Sequence, residues 1–168
     1  PAHVENVEFL PAAAAAPTSI LVYDLYSSTS AKYGIAVQGI DASGNAVGSP
    51  VPVSTATSAD QTHAVATALS NGNYLIAWRE DGASEDLIKA RLLSPALLPL
   101  SDEFTLSAVQ SVTKLSVDVL ATASGGFVAT WSENSVSTGT REIAARVFEP
   151  ASAPTQAAPF TPGAVIHV

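Results

Sequence analysis

From Ile20 onward the chain alternates apolar and polar positions with a period of two, the signature of β-strands with distinct faces. Tyr74, Ile76 and Trp78 share one side of a strand, as do Phe127, Ala129 and Trp131, and Leu21, Tyr23 and Leu25 repeat the pattern earlier. The segment Asn71-Gly72-Asn73-Tyr74-Leu75-Ile76-Ala77-Trp78-Arg79-Glu80 returns 53 positions later as Ser124-Gly125-Gly126-Phe127-Val128-Ala129-Thr130-Trp131-Ser132-Glu133. The same offset carries Ile35 onto Ile88, Val53 onto Leu106 and Ala68 onto Ala121, and it places Leu25 at the tryptophan position of a third, degenerate copy. A repeat of this length implies stacked supersecondary units, none able to bury its apolar face alone.

Four strands are predicted per unit: 35–40, 51–54, 64–69 and 74–79, then 87–93, 103–107, 116–123 and 127–133. Asp41-Ala42-Ser43-Gly44-Asn45, Ser70-Asn71-Gly72-Asn73 and Ser124-Gly125-Gly126 supply the tight turns between them. The fold class expected is all-β, in tandem four-stranded antiparallel units shaped like propeller blades, with a β-sandwich as the alternative. The division expected is an N-terminal arm, 1–19, and one repeat domain, 20–168, with units at about 20–33, 34–81, 86–133 and 141–168. Two units are then complete, flanked by partial ones. In the arm, Pro11, the run Ala12 to Ala16 and Pro17 read as an extended or irregular link, since so short a helical nucleus is unstable. Val7, Phe9 and Leu10 in the arm and Val165 and Ile166 in the tail are the expected assembly contacts, with the arm or the tail lying on a neighbouring chain.

Composition narrows the partners. With a net charge of −8 and seven basic residues spread singly, no basic stripe is available for nucleic acid. No apolar run approaches the roughly 18 residues of a membrane span. The absence of cysteine removes disulfides and thiolate chemistry. Pro1 is the residue that removal of an initiator methionine would leave, so synthesis without export is expected.

Gly125-Gly126-Phe127-Val128-x-x-Trp131, preceded by Ala121-x-Ala123, and the turn Ile40-Asp41-x-x-Gly44-Asn45-x-Val47-Gly48 resemble the tandem repeats of large secreted bacterial adhesins and surface proteins. The resemblance spans roughly residues 20–150 and implies blade-like units of four antiparallel strands. The Asp-x-x-Gly-Asn turn survives once, giving way to Ser94-Pro95-Ala96-Leu97-Leu98 and Glu149-Pro150-Ala151-Ser152-Ala153, and the calcium repeats that accompany such adhesins are missing.

Trp78, Trp131, Tyr74 and Phe127 are expected in the repeat core, although exposed indoles would stack on sugars. Asp41, Ser43 and Asn45 have calcium-loop spacing without the remaining oxygens such a site needs, and read as a turn. Glu80, Asp81, Glu85 and Asp86 read as a solvated loop. His3, His63 and His167 share no metal spacing and are expected at unrelated surface positions. Glu80 with Arg91 and Glu133 with Arg146 are expected as cross-strand ion pairs. No catalytic, cofactor or metal motif is recognised, so the expectation is a non-enzyme without cofactors. The function expected is a structural or interaction subunit of a large assembly, oligomeric with like or neighbouring protein subunits, foremost a virion accessory protein on a capsid or tail surface. The alternative is an adhesin segment or lectin-like module, extracellular or on a bacterial surface, with a glycan as possible partner.

Overall fold

The computed structural model describes residues 4–11, 19–55, 58–83, 85–107, 113–134 and 138–167, with backbone alone for 4–11. Among the described residues there is no helix. Three four-stranded antiparallel sheets follow one another along the chain. The first holds β1 (Val4–Pro11), β2 (Ser19–Ser27), β3 (Lys32–Ile40) and β4 (Ala46–Pro52); the second holds β5 (Asp60–Ala68), β6 (Tyr74–Asp81), β7 (Asp86–Leu93) and β8 (Phe104–Thr105). The third holds β9 (Lys114–Ala121), β10 (Phe127–Asn134), β11 (Arg141–Pro150) and β12 (Phe160–His167). Each sheet is a meander in chain order. The first strands β1, β5 and β9 run beside one another from sheet to sheet, while the fourth strands lie away from that line, the arrangement of propeller blades.

The strands expected from the alternation form, but the units divide elsewhere. Three sheets are complete, in place of two complete units with partial ones at each end. A repeat fixes the period and leaves open which strand begins a unit. Hydrogen bonding decides, because the tryptophan strand is an inner strand that pairs with both its predecessor and its successor. β6 pairs with β5 and β7, and β10 with β9 and β11. The N-terminal segment expected as an arm on a neighbouring chain supplies β1, in register with β2 (Phe9 opposite Leu21, Leu10 opposite Ile20). The alanine run lies outside the described residues. The tail likewise joins its own sheet: Val165 stands opposite Arg146 and Ile166 opposite Ala145.

Register also moves the third copy of the tryptophan position. Trp78 stands opposite Lys89 and Trp131 opposite Ala144, and the corresponding residue in the first sheet is Tyr23, opposite Ala36. Leu25, two residues on, faces Gly34. The β6–β7 hairpin is shorter by two residues than its counterparts, so counting along the chain slips by one pleat.

Two cores lie between the sheets. Ile20, Val22, Ile35 and Val37 of the first sheet meet Tyr74, Ile76, Trp78 and Leu93 of the second. Leu75, Ala77, Ile88 and Ala90, on the opposite face of the second sheet, meet Phe127, Ala129, Trp131, Ala144 and Phe148 of the third. Trp78, Tyr74 and Phe127 are fully buried, and Trp131 nearly so. Phe127 stacks on Phe148 at 4.6 Å between ring centres and meets Phe160 edge-on at 4.9 Å. The turn before β10 depends on glycine twice. Gly125 has φ +89°, and a Cβ on Gly126 would fall 2.0 Å from the Phe148 carbonyl oxygen.

The links between sheets repeat their hydrogen bonds. Val53 N–H donates to the Ile35 carbonyl at 2.8 Å, and Leu106 N–H to that of Ile88 at 2.7 Å. Ile35 and Ile88 N–H donate in turn to Ser54 and Ser107 Oγ. From the following sheet, Arg91 Nη1 donates to the Val53 carbonyl at 2.8 Å and Arg146 Nη1 to that of Leu106 at 3.1 Å. Each guanidinium also reaches its own fourth-strand side through Nε, to Ser101 or Gly163 carbonyls. The arginines expected to pair with Glu80 and Glu133 are thus clips between consecutive units.

Replacing Trp131 by Ala should cost about 3–5 kcal/mol in denaturant unfolding, whereas Leu120→Ala, on the uncovered side of the same sheet, should stay within about 0.5 kcal/mol.

Candidate functional site

The second sheet is covered on both faces; the first and third are each covered by a neighbouring sheet on one. On the third sheet, positions that alternate with the core point outward: Leu120 on β9, Val128 on β10, Ile143, Ala145 and Val147 on β11, and Ile166 on β12. They are register neighbours, Val128 lying opposite both Leu120 and Val147, and Ala145 opposite Ile166. Leu120 is 71% exposed, Ile166 57%, Ile143 47% and Val147 37%. Their repeat counterparts in the second sheet are closed off: Leu75 matches Val128, Ile88 matches Ile143, Ala90 matches Ala145, and all three counterparts have 0% exposure. One surface, built twice from similar residues, is core in one copy and open in the other.

At the opposite end of the stack, the far face of the first sheet carries Leu21, Tyr23, Leu25, Gly34 and Ala36. Tyr23 and Ala36 have little exposure, and burial pushes the Tyr23 hydroxyl above its usual range. Beside them lies a cleft of about 810 Å³ lined by Leu25, Gly34, Ala36, Pro50 and Pro52, with Tyr26 and Tyr33 among its remaining walls. Those two rings meet edge-on at 5.3 Å. Small side chains produce the hollow, since Gly34 stands where the second sheet has Leu87 and the third has Glu142.

A polar cluster closes the edge of the core between the second and third sheets. Trp131 Nε1 donates to Glu133 Oε2 at 2.8 Å, and His167 Nδ1 lies 3.6 Å from Glu133 Oε1 and 3.3 Å from Glu142 Oε1. Glu133 and Glu142 stand directly opposite across β10 and β11, a like-charge pairing that needs a neutralising group. His167, expected as an unrelated surface residue, sits against both carboxylates. Lys114, fully buried and in register with Glu133, brings positive charge; burial lowers its pKa, opposed by Glu133, Asp86 and Glu85. Among the described residues Glu133, Glu142 and His167 form the group that could hold a cation, their ligand atoms lying within 4.8 Å of one another. In the second sheet Glu80 faces Leu87, and its carboxylate lies 3.0 Å from Lys89 Nζ and accepts from Gln61 Nε2 at 2.9 Å. There Trp78 Nε1 and Gln61 Oε1 are buried without hydrogen-bond partners among the described residues.

The remaining acidic residues hold backbone in place. Asp24, fully buried on the first sheet, accepts the N–H groups of His63 (3.0 Å) and Ala64 (3.3 Å) at an irregularity in β5. His63 has φ +59° there, a left-handed conformation that costs a non-glycine residue. Asp60 accepts Lys32 Nζ and Tyr33 N–H, both at 2.9 Å, tying the first sheet to the second. Asp81 pairs with Arg79, and Asp86 accepts Lys114 N–H. These residues, expected as a solvated loop, are half-buried and engaged. Asp41 accepts N–H bonds from Ser43 and Asn45, both at 2.8 Å, which hold its carboxyl below the usual range and turn it inward on its own hairpin.

No protein-family model matches the chain, and no curated protein matches its sequence. Among solved structures it is similar to an endo-arabinase from Bacteroides thetaiotaomicron VPI-5482, with a TM-score of 0.56 at 16% identity. The match covers 86% of this chain and 56% of that one. The likeness concerns the fold: stacked antiparallel four-stranded sheets within a longer chain.

The apolar outer face was absent from the sequence expectations, although β11 carries its sign. Ile143-Ala144-Ala145-Arg146-Val147-Phe148 is apolar at both parities, as befits a strand buried on two sides.

Asp24→Ala, which strips two N–H groups of their acceptor, should lower stability by about 2–4 kcal/mol. His63→Gly should raise it by up to about 1 kcal/mol through relief of the left-handed conformation. Chemical denaturation of both variants checks the pair.

Proposed function

We propose that the chain is a non-catalytic interaction module of a larger assembly, which docks a further sheet of its own kind on the face carrying Leu120, Ile143, Val147 and Ile166. The observation that carries this reading is the contrast between that open face and its counterpart around Leu75, Ile88 and Ala90, sealed by the next sheet. Burying apolar area of this kind is worth about 25 cal/mol per Å², and contiguous exposed apolar patches mark interaction surfaces. Support for the non-catalytic part comes from the carboxylates. Glu80, Asp81, Glu133 and Asp24 are each engaged by a lysine, an arginine, an indole or backbone N–H groups. A virion accessory subunit on a capsid or tail surface and an adhesin segment on a bacterial surface are the two settings that suit such a module. Genomic neighbours separate them, capsid and portal genes in one case and an export system beside a giant reading frame in the other.

The test is a Leu120→Glu/Ile143→Glu double variant, compared with the unaltered chain by light scattering and by binding of the apolar dye ANS. The unaltered chain is expected to self-associate or to bind dye, and the double variant to lose whichever is seen while keeping its melting temperature. An unaltered chain that does neither, or a variant that retains the behaviour, overturns the reading.

A second reading, carbohydrate binding in the first-sheet cleft, is favoured by the tyrosine pair Tyr26 and Tyr33 on its wall and by the fold shared with the endo-arabinase. On a glycan array the leading reading expects no signal, and with arabinan it expects no release of reducing ends. Glycan binding abolished by Tyr26→Ala would promote the second reading over the first.

A further inference from the structure

We infer that the sheet received by this open face is the first sheet of a second copy of the chain, so that two chains close head to tail into one ring of six sheets. The inference rests on the interaction reading above and names its partner.

Both interfaces within the chain have one direction. The face of a sheet that bears Val22 and Val37, or Leu75 and Ile88, always meets the tryptophan face of the sheet that follows. Two faces are left over: the third sheet offers the first kind, and the first sheet offers the second. A copy of the same chain therefore brings the complement that each free face lacks, in the orientation the chain already uses twice, and the new contact continues the existing stack.

Closure supplies the number of copies. Propellers run to roughly four to eight blades, so the three sheets of one chain fall short and those of two chains do not. The free faces are also complementary in relief. Leu120, Ile143, Val147 and Ile166 protrude from one, and the 810 Å³ cleft beside Leu25, Gly34, Pro50 and Pro52 hollows the other. A heterologous contact that closes leaves no open end, whereas one that does not close grows into a fibre. Because each copy carries a net charge of −8, the contact is apolar against a repulsive background, and salt should strengthen it.

The experiment uses the intact chain. Light scattering coupled to gel filtration should give twice the 17.1 kDa chain mass, with the dimer favoured as ionic strength rises. Ile143→Glu on one free face and Leu25→Glu or the more exposed Pro50→Glu on the other should each weaken the dimer at least about tenfold, with folding verified by near-ultraviolet circular dichroism. Mixing an Ile143→Glu chain with a Pro50→Glu chain should restore a dimer, since one interface of the ring then consists of two unaltered faces. Several outcomes overturn the inference. A dimer weakened by Ile143→Glu and indifferent to both cleft variants would be a symmetric pairing of third sheets. A monomer that binds ANS would leave the interaction reading in place with a different partner, and a monomer that binds none would remove both.

Discussion

Everything in this molecule depends on one constraint: a four-stranded sheet with apolar residues on its face cannot shield that face by itself. Here the shield is always the next sheet. The second sheet shows the arrangement completed, with Tyr74, Ile76 and Trp78 turned one way and Leu75 and Ala77 the other, so that a single strand serves two cores. Such a strand loses the alternation of polar and apolar residues and reads as a continuous apolar run. The arginine clips add direction to this packing. Arg91 and Arg146 tie the third strand of one unit to the link leaving the preceding unit.

Polar groups at the edges of the cores explain much of what differs between otherwise equal units. Glu80 and Glu133 occupy matching places, yet Glu80 is balanced by Lys89 on the adjacent strand, while the third sheet has Ala144 there. Glu133 instead accepts from the Trp131 indole, with Lys114 in register beside it and His167 Nδ1 3.6 Å away. Among the described residues Trp78 has no such acceptor for its buried indole N–H. The second and third sheets thus differ in how each accommodates the acid at this place.

The fold was legible in the sequence because the segments Tyr74–Trp78 and Phe127–Trp131, each opened by a glycine-bearing turn and each carrying an aromatic residue at both ends, repeat after 53 residues. What the sequence left open was phase and register. Period alone does not say which strand opens a unit, and the β6–β7 hairpin is shorter by two residues, so the 53-residue offset pointed to Leu25 where hydrogen bonding selects Tyr23. The core residues Trp78, Trp131, Tyr74 and Phe127 follow from their shared parity. The roles of His167 and the two arginines do not, since they depend on partners from distant strands and on backbone carbonyls, which leave no trace in residue identity. The open face of the third sheet was half legible: Ile143 and Val147 are plainly apolar, but only the end of the stack shows that no described sheet lies over them.

The links that pass from one sheet to the next carry a consequence for how such a chain can change. Val53-Ser54 and Leu106-Ser107 make the same bonds with the same neighbours. A whole unit copied between two such links would meet, on both sides, contacts that already exist. Lengthening by a unit therefore requires no new kind of interface, whereas an insertion of half a unit would leave a clip without its carbonyl and a sheet turned the wrong way. Growth and loss in this architecture are quantised, and the permitted step is one meander of four strands with its link.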